Sequence, residues 1–367
     1  MKRIIFVAAM IAVLPFFASC QKEAECVVNQ INGKRCALSV SLAGVSEVFT
    51  KIPGVVADDN VIRDVQILVF NIDRPEGKLD ASAHFKNLSS SGSYTSSSTL
   101  SCTRGKREIW VIVNSKVNYV DGDVADKVDN LSSLEDKTTV LSDNEYASNS
   151  FVMAGNKLVD LDSEEYSSTV EVRRMAAKIV VKKIENRMLV PVYQKEGAVR
   201  ITGAYLMNVA GRQKYNNLNT VDAPTSLTSS LIDDQYWFGK NTRESNSSLA
   251  PLLSETYSPA KPVRYESCLT DVSTFYVYPN DAAPSENAAW DRRASVLVIC
   301  ANVTGTDCVY PVQLPQLESG KQYEVSLVIK HVGGDPSKPW EKIKFENMSP
   351  AIDVSPWVTV GGINEII

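Results

Sequence analysis

The sequence predicts an all-β protein with minor α content, arranged as two tandem β-sandwiches. Short stretches rich in β-branched and aromatic residues recur along the chain, several with strict apolar–polar alternation. Gly, Asn, Asp and Ser punctuate them at close intervals. Helical character is confined to one short segment, a combination that favours packed sheets. At 367 residues, 44% hydrophobic and 22% charged, the chain suffices for two domains, each able to bury a core.

The chain opens on "MKRIIFVAAMIAVLPFFASC", with basic Lys2 and Arg3, an apolar run from Ile4 to Phe17 and a small-residue stop. "FASC" fits a lipobox, with Phe17 where Leu is usual, so Cys20 is expected to become the acylated first residue of a lipoprotein. A plain signal peptide cut near Ala18 is the alternative. Residues 1–20 are read as the signal peptide and 21–51 as a pro-segment. No later stretch approaches the roughly 18 apolar residues of a membrane span.

"CALSVSLAG" (Cys36–Gly44) is an alternating strand: Leu38, Val40 and Leu42 share one face, Ser39 and Ser41 the other. The loose segment behind it, "VSEVFTKIPGVVADDN", holds one basic residue, Lys51. Strands are then expected at Val61–Asn71, Arg107–Asn114 and Ser168–Ile184. The last shifts parity, which predicts a bulge near Arg173 and Arg174. "LSSSGSYTSSSTLSC" reads as a solvated loop or polar edge strand. The helix is expected over Asn130–Leu141, with Ser132 and Glu135 at capping-box spacing.

The domain boundary is expected between Asn186 and Gly197, giving units at 52–190 and 191–367. A long irregular region from Gly211 to Ser267 precedes strands at Ser273–Asn280, Ala294–Val303, Cys308–Leu314 and Lys321–Lys330. The closing segment "AIDVSPWVTVGGINEII" alternates again, with Ile352, Val354, Val358 and Val360 on one parity. Pro356 has no amide hydrogen and restricts that strand to an edge or bulge.

No catalytic constellation is present. The two histidines, His84 and His331, lack partners at a recognisable spacing, and His84 is expected to be solvated at a strand end. No metalloprotease, nucleophile-elbow, phosphate-loop or dinucleotide motif occurs, so no enzyme, metal or cofactor is expected. The acidic runs Ala57–Asn60, Asp121–Asp126 and Asp160–Glu165 lack calcium-loop spacing. A net charge of −5 argues against a nucleic-acid partner. Of seven cysteines, six remain once Cys20 is set aside; fifteen pairings are open, with Cys300 and Cys308 the best placed across a hairpin turn.

The lipoprotein start, the strand with its loosely tethered loop, "DVQILVFN", "REIWVIVN", "VRRMAAKIVV", "FYVYPN" and "ESGKQYEVSLVIK" before a Trp-containing closing strand together resemble the fimbrillins. These are the type V pilus subunits of Bacteroidales, and "QKEAE" resembles their surface-export tag. The resemblance implies two transthyretin-like sandwiches and an N-terminal strand (Leu38, Val40, Leu42) removed by a trypsin-like protease. It implies a groove then filled by another subunit's C-terminal strand (Ile352, Val354, Val358, Val360). The implied cut follows Lys51, with Arg35 a poorer candidate; family members usually carry arginine there.

Implied partners are other fimbrial subunits, the processing protease and the outer membrane, reached through the precursor's lipid; the implied place is a cell-surface fimbrium serving adhesion and colonisation. A fimbrial tip or anchor protein is the alternative within the family. A surface glycan-binding lipoprotein using Tyr236, Trp237 and Phe238 is the alternative outside it.

Overall fold

The computed structural model describes residues 33–44, 61–91, 93–144, 150–215, 237–238, 253–280, 294–339 and 348–356. Cys20, Lys51, Tyr236, Val358 and Val360 lie outside them.

The first part of the chain supplies β1 (Arg35–Gly44), β2 (Val61–Ile62), β3 (Val65–Asn71), β4 (Lys78–Phe85), β5 (Ser90–Ser91) and β6 (Ser93–Thr95). It continues with β7 (Leu100–Thr103), β8 (Gly105–Val113), β9 (Thr138–Val140), β10 (Met153–Leu161) and β11 (Glu165–Arg174). Their main sheet runs β4-β3-β8-β10-β11-β1-β6, with β7 also paired to β1. Pairing of β10 to β11 is confined to Met153↔Arg174 and Ala154↔Arg173. The sheet thus turns a corner there, and its two wings share one core. Ile67, Val69, Ile109 and Val111 on one wing meet Leu38, Val40, Val170 and Val172 on the other. Gly155 sits at that corner; a Cβ there would overlap the Glu171 carbonyl oxygen.

The rest supplies β12 (Ala177–Asn186), β13 (Val199–Met207), β14 (Val209–Ala210), β15 (Arg212–Lys214), β16 (Trp237–Phe238) and β17 (Ser254–Pro262). After these come β18 (Cys268–Val277), β19 (Val296–Val303), β20 (Thr306–Gln313), β21 (Lys321–Ile329) and β22 (Met348–Pro356). Two sheets, β18-β12-β21-β22 and β17-β13-β19-β20, form a second sandwich. Ile179, Phe275, Tyr323 and Val325 of one sheet join Ile201, Leu297, Ile299 and Tyr310 of the other in a single core.

That core continues into the first unit. Leu68, Phe70, Trp110 and Ile112 point away from the first core and join it, covered by Tyr119 and Leu134. At the junction β9 pairs with β15. The Tyr278 hydroxyl donates to the Val140 carbonyl at 2.8 Å and lies 3.0 Å from Thr139 Oγ1.

Several expectations are corrected. The parity shift near Arg173 is not a bulge: β11 ends at Arg174, the chain bends through Met175 and Ala176, and β12 enters a different sheet. A bulge does occur in β12, between Val181 and Lys183. Sheet membership therefore changes at residues 175–176, ahead of the boundary expected at 190. The helix is shorter than expected, Leu131–Glu135 (α1), because Asp136 closes it and β9 follows. Its cap pairs Asn130 with Ser133, not Ser132 with Glu135: Ser133 N donates to Asn130 Oδ1 at 2.8 Å.

His84 is not solvated. Its side chain is 6% exposed, bonded to Asp64 through Nε2, with Nδ1 3.7 Å from Asp121. Cys300 and Cys308 are not partners, because the β19–β20 register sets Cys300 against Val309 and Cys308 against Ala301. Adjacent register positions point to opposite faces of a sheet.

Candidate functional site

The site is the slot that holds β1. Its alternation produces the expected division: Cys36, Leu38, Val40 and Leu42 are buried, while Ala37, Ser39, Ser41 and Ala43 are half-buried. Leu38 and Val40 are 0% exposed and Leu42 is 3%. Burial of those three side chains stabilises by roughly 1.5–3 kcal/mol each, or about 5–9 kcal/mol together.

Both backbone edges of β1 are paired. On one side it runs parallel to β11, from Ala37↔Glu165 to Gly44↔Val172. On the other it is antiparallel to two short strands, β7 from Arg35↔Thr103 to Leu38↔Leu100 and β6 from Ser41↔Thr95 to Ala43↔Ser93. Ser96 bridges the gap between those two. Its amide donates to the Val40 carbonyl at 2.9 Å, and its Oγ accepts from the Val40 amide at 3.2 Å. The serine-rich stretch is thus a pair of edge strands, the second of the readings the sequence allowed. Its apolar residues, Leu100 and Cys102, complete the core over β1.

Arg104 fastens the entry of the strand. Its amide donates to the Lys34 carbonyl at 2.9 Å, its Nε donates to the Arg35 carbonyl at 3.3 Å, and its guanidinium meets Glu164 at 3.3 Å. Arg35 is the first residue of β1 rather than a residue ahead of it. A cut there would leave the remainder of the strand joined to the body through residues 45–60.

Sequence reasoning missed Ser96 and Arg104. Neither carries a periodic signal, since each acts through contacts to the β1 backbone made only after the chain has returned to that strand. Behind them lies Arg107, 0% exposed, with Nε 2.9 Å from Asp80 and a terminal nitrogen 2.9 Å from Asp73.

The closing strand sits elsewhere. β22 lies at the edge of its sheet and pairs only with β21 among the described residues. Ile352 packs against the second core, whereas Val354 is 53% exposed. Pro356 is the last residue of the strand, where an edge tolerates its missing amide hydrogen. Trp237 and Phe238, two of the three residues in the alternative glycan-binding reading, form the short strand β16 against β14. Among the described residues no group of three His, Cys, Asp or Glu side chains could hold a metal ion, and no helix is long and apolar enough to cross a membrane.

Two β-sandwiches in series, the first completed by β1, define the class of fold. Residues 38–174 match the family described as "Major fimbrial subunit protein (FimA)". Among curated proteins, none matches.

Solved structures share the fold, among them the following three. One is a candidate cell adhesion protein from Parabacteroides distasonis ATCC 8503, with a TM-score of 0.63 at 14% identity, covering 89% of this chain and 99% of that one. A second, a candidate cell adhesion protein from Bacteroides eggerthii DSM 20697, gives 0.59 at 17% identity, covering 89% and 97%. The third is a fimbrilin (FimA) from Porphyromonas gingivalis W83, at 0.58 and 15% identity, covering 89% and 99%.

Proposed function

We propose that this chain is a structural subunit of a cell-surface fimbrium that polymerises by strand exchange after proteolysis. The precursor is exported as a lipoprotein acylated on Cys20. A trypsin-like protease cuts after Lys51, β1 leaves, and the C-terminal segment of a second subunit fills the slot.

The observation that carries this reading is the seating of β1. Its apolar face is buried and both its edges are paired, yet it is joined to the body by the single segment 45–60, whose one basic residue is Lys51. A sandwich missing that strand would expose the edge of β11 and an apolar groove, which invites aggregation during export. A resident strand prevents this.

Exchange then turns on the tether. A donor placing Ile352, Val354, Val358 and Val360 in the slot gains roughly 6–12 kcal/mol, which overlaps the range for β1. While tethered, β1 enjoys an effective concentration on the order of millimolar, and a cut abolishes it. Strand addition to an open sheet edge supplies the backbone pairing.

The test is limited trypsin digestion of the precursor under reducing conditions, followed by native size analysis. The expected result is a first cut between Ala43 and Val61 and growth of polymers. Lys51→Gln protein should resist both. A clean cut that leaves only stable monomers would refute the reading.

A further inference from the structure

We propose that Cys36 and Cys102 form a disulfide that ties β1 to β7, so that the first strand stays on the subunit after its tether is cut. The chemistry of this bond stands on the geometry alone; its consequence for assembly rests on the function proposed above.

The two residues are direct partners in the antiparallel pairing of β1 with β7, and both are free thiols in this structure. Both face the first core, Cys36 1% exposed and Cys102 0%. The Arg104 amide bonds to the Lys34 carbonyl, so Lys34 and Arg104 form a hydrogen-bonded position of the ladder. Two residues along each strand, Cys36 and Cys102 fall on the same kind of position, where Cα atoms lie about 5.5 Å apart. A disulfide accepts Cα separations of roughly 4.4–6.8 Å. Neither backbone needs to move far. By contrast Cys300 and Cys308 lie on opposite faces of their hairpin, and Cys268 is exposed on β18.

The surroundings indicate how the bond is made. A cleft of about 520 Å³ opens at the start of β1, lined by Cys36 together with Lys34, Arg35, Arg104 and Glu164. Burial pushes the Cys36 thiol up, while the Arg104 charge draws it back down. Cys102 is pushed up to about 12, first by burial and then by Asp80. Cys36 is therefore the attacking thiol and Cys102 the resolving one.

The oxidant is a disulfide, small-molecule or protein-borne, of the exported compartment. The Cys36 thiolate attacks it, forming a mixed disulfide and expelling one thiolate. The Cys102 thiolate then attacks the Cys36 sulfur, closing the cross-strand bond and expelling the second. Two protons leave the protein, and its two electrons end on the reduced oxidant. Cys36 is 1% exposed at the rim of this cleft, so the oxidant reaches it there as the first residues of β1 settle against β7.

Cleavage after Lys51 frees the C-terminal end of β1, but the bond at Cys36 keeps its other half on β7. Strand release then requires reduction as well as proteolysis.

The experiment uses full-length protein refolded with oxidised glutathione, alkylated in denaturant, digested with trypsin and mapped by mass without reductant. The expected product joins the peptide Cys36–Lys51 to the peptide Asn87–Arg104, and reduction separates them. Recovery of both peptides alkylated, or linkage of either cysteine to a different one, overturns the proposal. In a second arm, protein cut only in the tether is run on a denaturing gel. The strand should remain attached without reductant, leave with it, and leave unaided from the C36A/C102A variant. If the link is mapped but C36A/C102A protein neither sheds its strand under native conditions nor polymerises after the cut, the disulfide stands and the strand-exchange reading fails.

Discussion

Val354 stands directly opposite Tyr323 across β22 and β21, yet Tyr323 is 1% exposed and Val354 is 53% exposed. Directly opposed residues share a face of the sheet, so Val354 points to the core side without being covered by it. The sandwich ends one strand too late for its own cover. Val354 therefore gives up little apolar burial if the strand leaves, whereas Ile352 gives up its packing and β22 its pairing with β21.

That asymmetry predicts the behaviour of Val354→Asp. An exposed position contributes little to the monomer, so the precursor's unfolding midpoint should move by no more than about 0.5 kcal/mol equivalent. In a neighbour's slot the same side chain would be a buried, unpaired charge. Trypsin-treated variant protein should therefore fail to polymerise by light scattering while remaining as stable to urea as the parent.

Leu38→Ala probes the opposite end of the exchange. Truncating a fully buried leucine costs about 2–5 kcal/mol, and Leu38 is 0% exposed in β1. The urea midpoint of the precursor should fall accordingly. Polymers grown from the processed variant should match the parent's stability, since β1 is absent from them. Equal destabilisation of precursor and polymer would show that the strand never leaves.

How much of this was legible in the sequence follows from what periodicity encodes. Alternation reports which face of a strand is apolar, and it located β1, β3, β8, β12, β19 and β21 well. It does not report which sheet a strand joins. The parity change after Arg174 looked like a bulge because local pattern cannot distinguish a kink from a passage into a second sheet. Strands that keep little apolar contact went unnoticed: β4 is mostly half-buried, β10 carries exposed Asn156 and Lys157, and β17 contains two prolines. The same limit hid the slot. Leu38, Val40 and Leu42 were readable as an inward face, but Ser96, Arg104 and Cys102 acquire meaning only from the register that brings them to β1.

Alkali should destabilise the second sandwich and its junction with the first. Burial holds the hydroxyls of Tyr215, Tyr278 and Tyr310 far above the ordinary tyrosine value near 10. In the unfolded chain these phenols ionise at that ordinary value, while in the fold they stay protonated. Their contribution is complete below pH of about 10 and is lost as pH rises beyond it, each removing roughly 1.4 kcal/mol per pH unit. Stability to urea measured from pH 8 to 12 should be flat and then fall steeply. Replacing Tyr278 by Phe should shallow the fall, at the cost of its hydrogen bonds to Val140, Thr139 and Asn144.

Arg107 should prove the anchor of the wall against which β1 rests. Its guanidinium is 0% exposed and lies between Asp73 and Asp80, while donating to the Thr103 hydroxyl and the Arg104 carbonyl. Asp80 also accepts from the Thr103 amide at 2.8 Å, so one carboxylate holds both β8 and the end of β7. Removing the cation leaves two carboxylates facing each other in a largely dry site, a change that costs about 3–5 kcal/mol. Arg107→Ala should therefore lower the precursor's urea stability by that amount. Loss of purchase on Thr103 and Arg104 should also quicken hydrogen exchange at the Arg104 amide, which bonds to Lys34 across β1. Adding Asp73→Asn and Asp80→Asn to the Arg107→Ala variant relieves the repulsion, and should recover part of the stability without slowing that amide. Full recovery of both would mean that the arginine only neutralises charge and does not hold the strand's entrance.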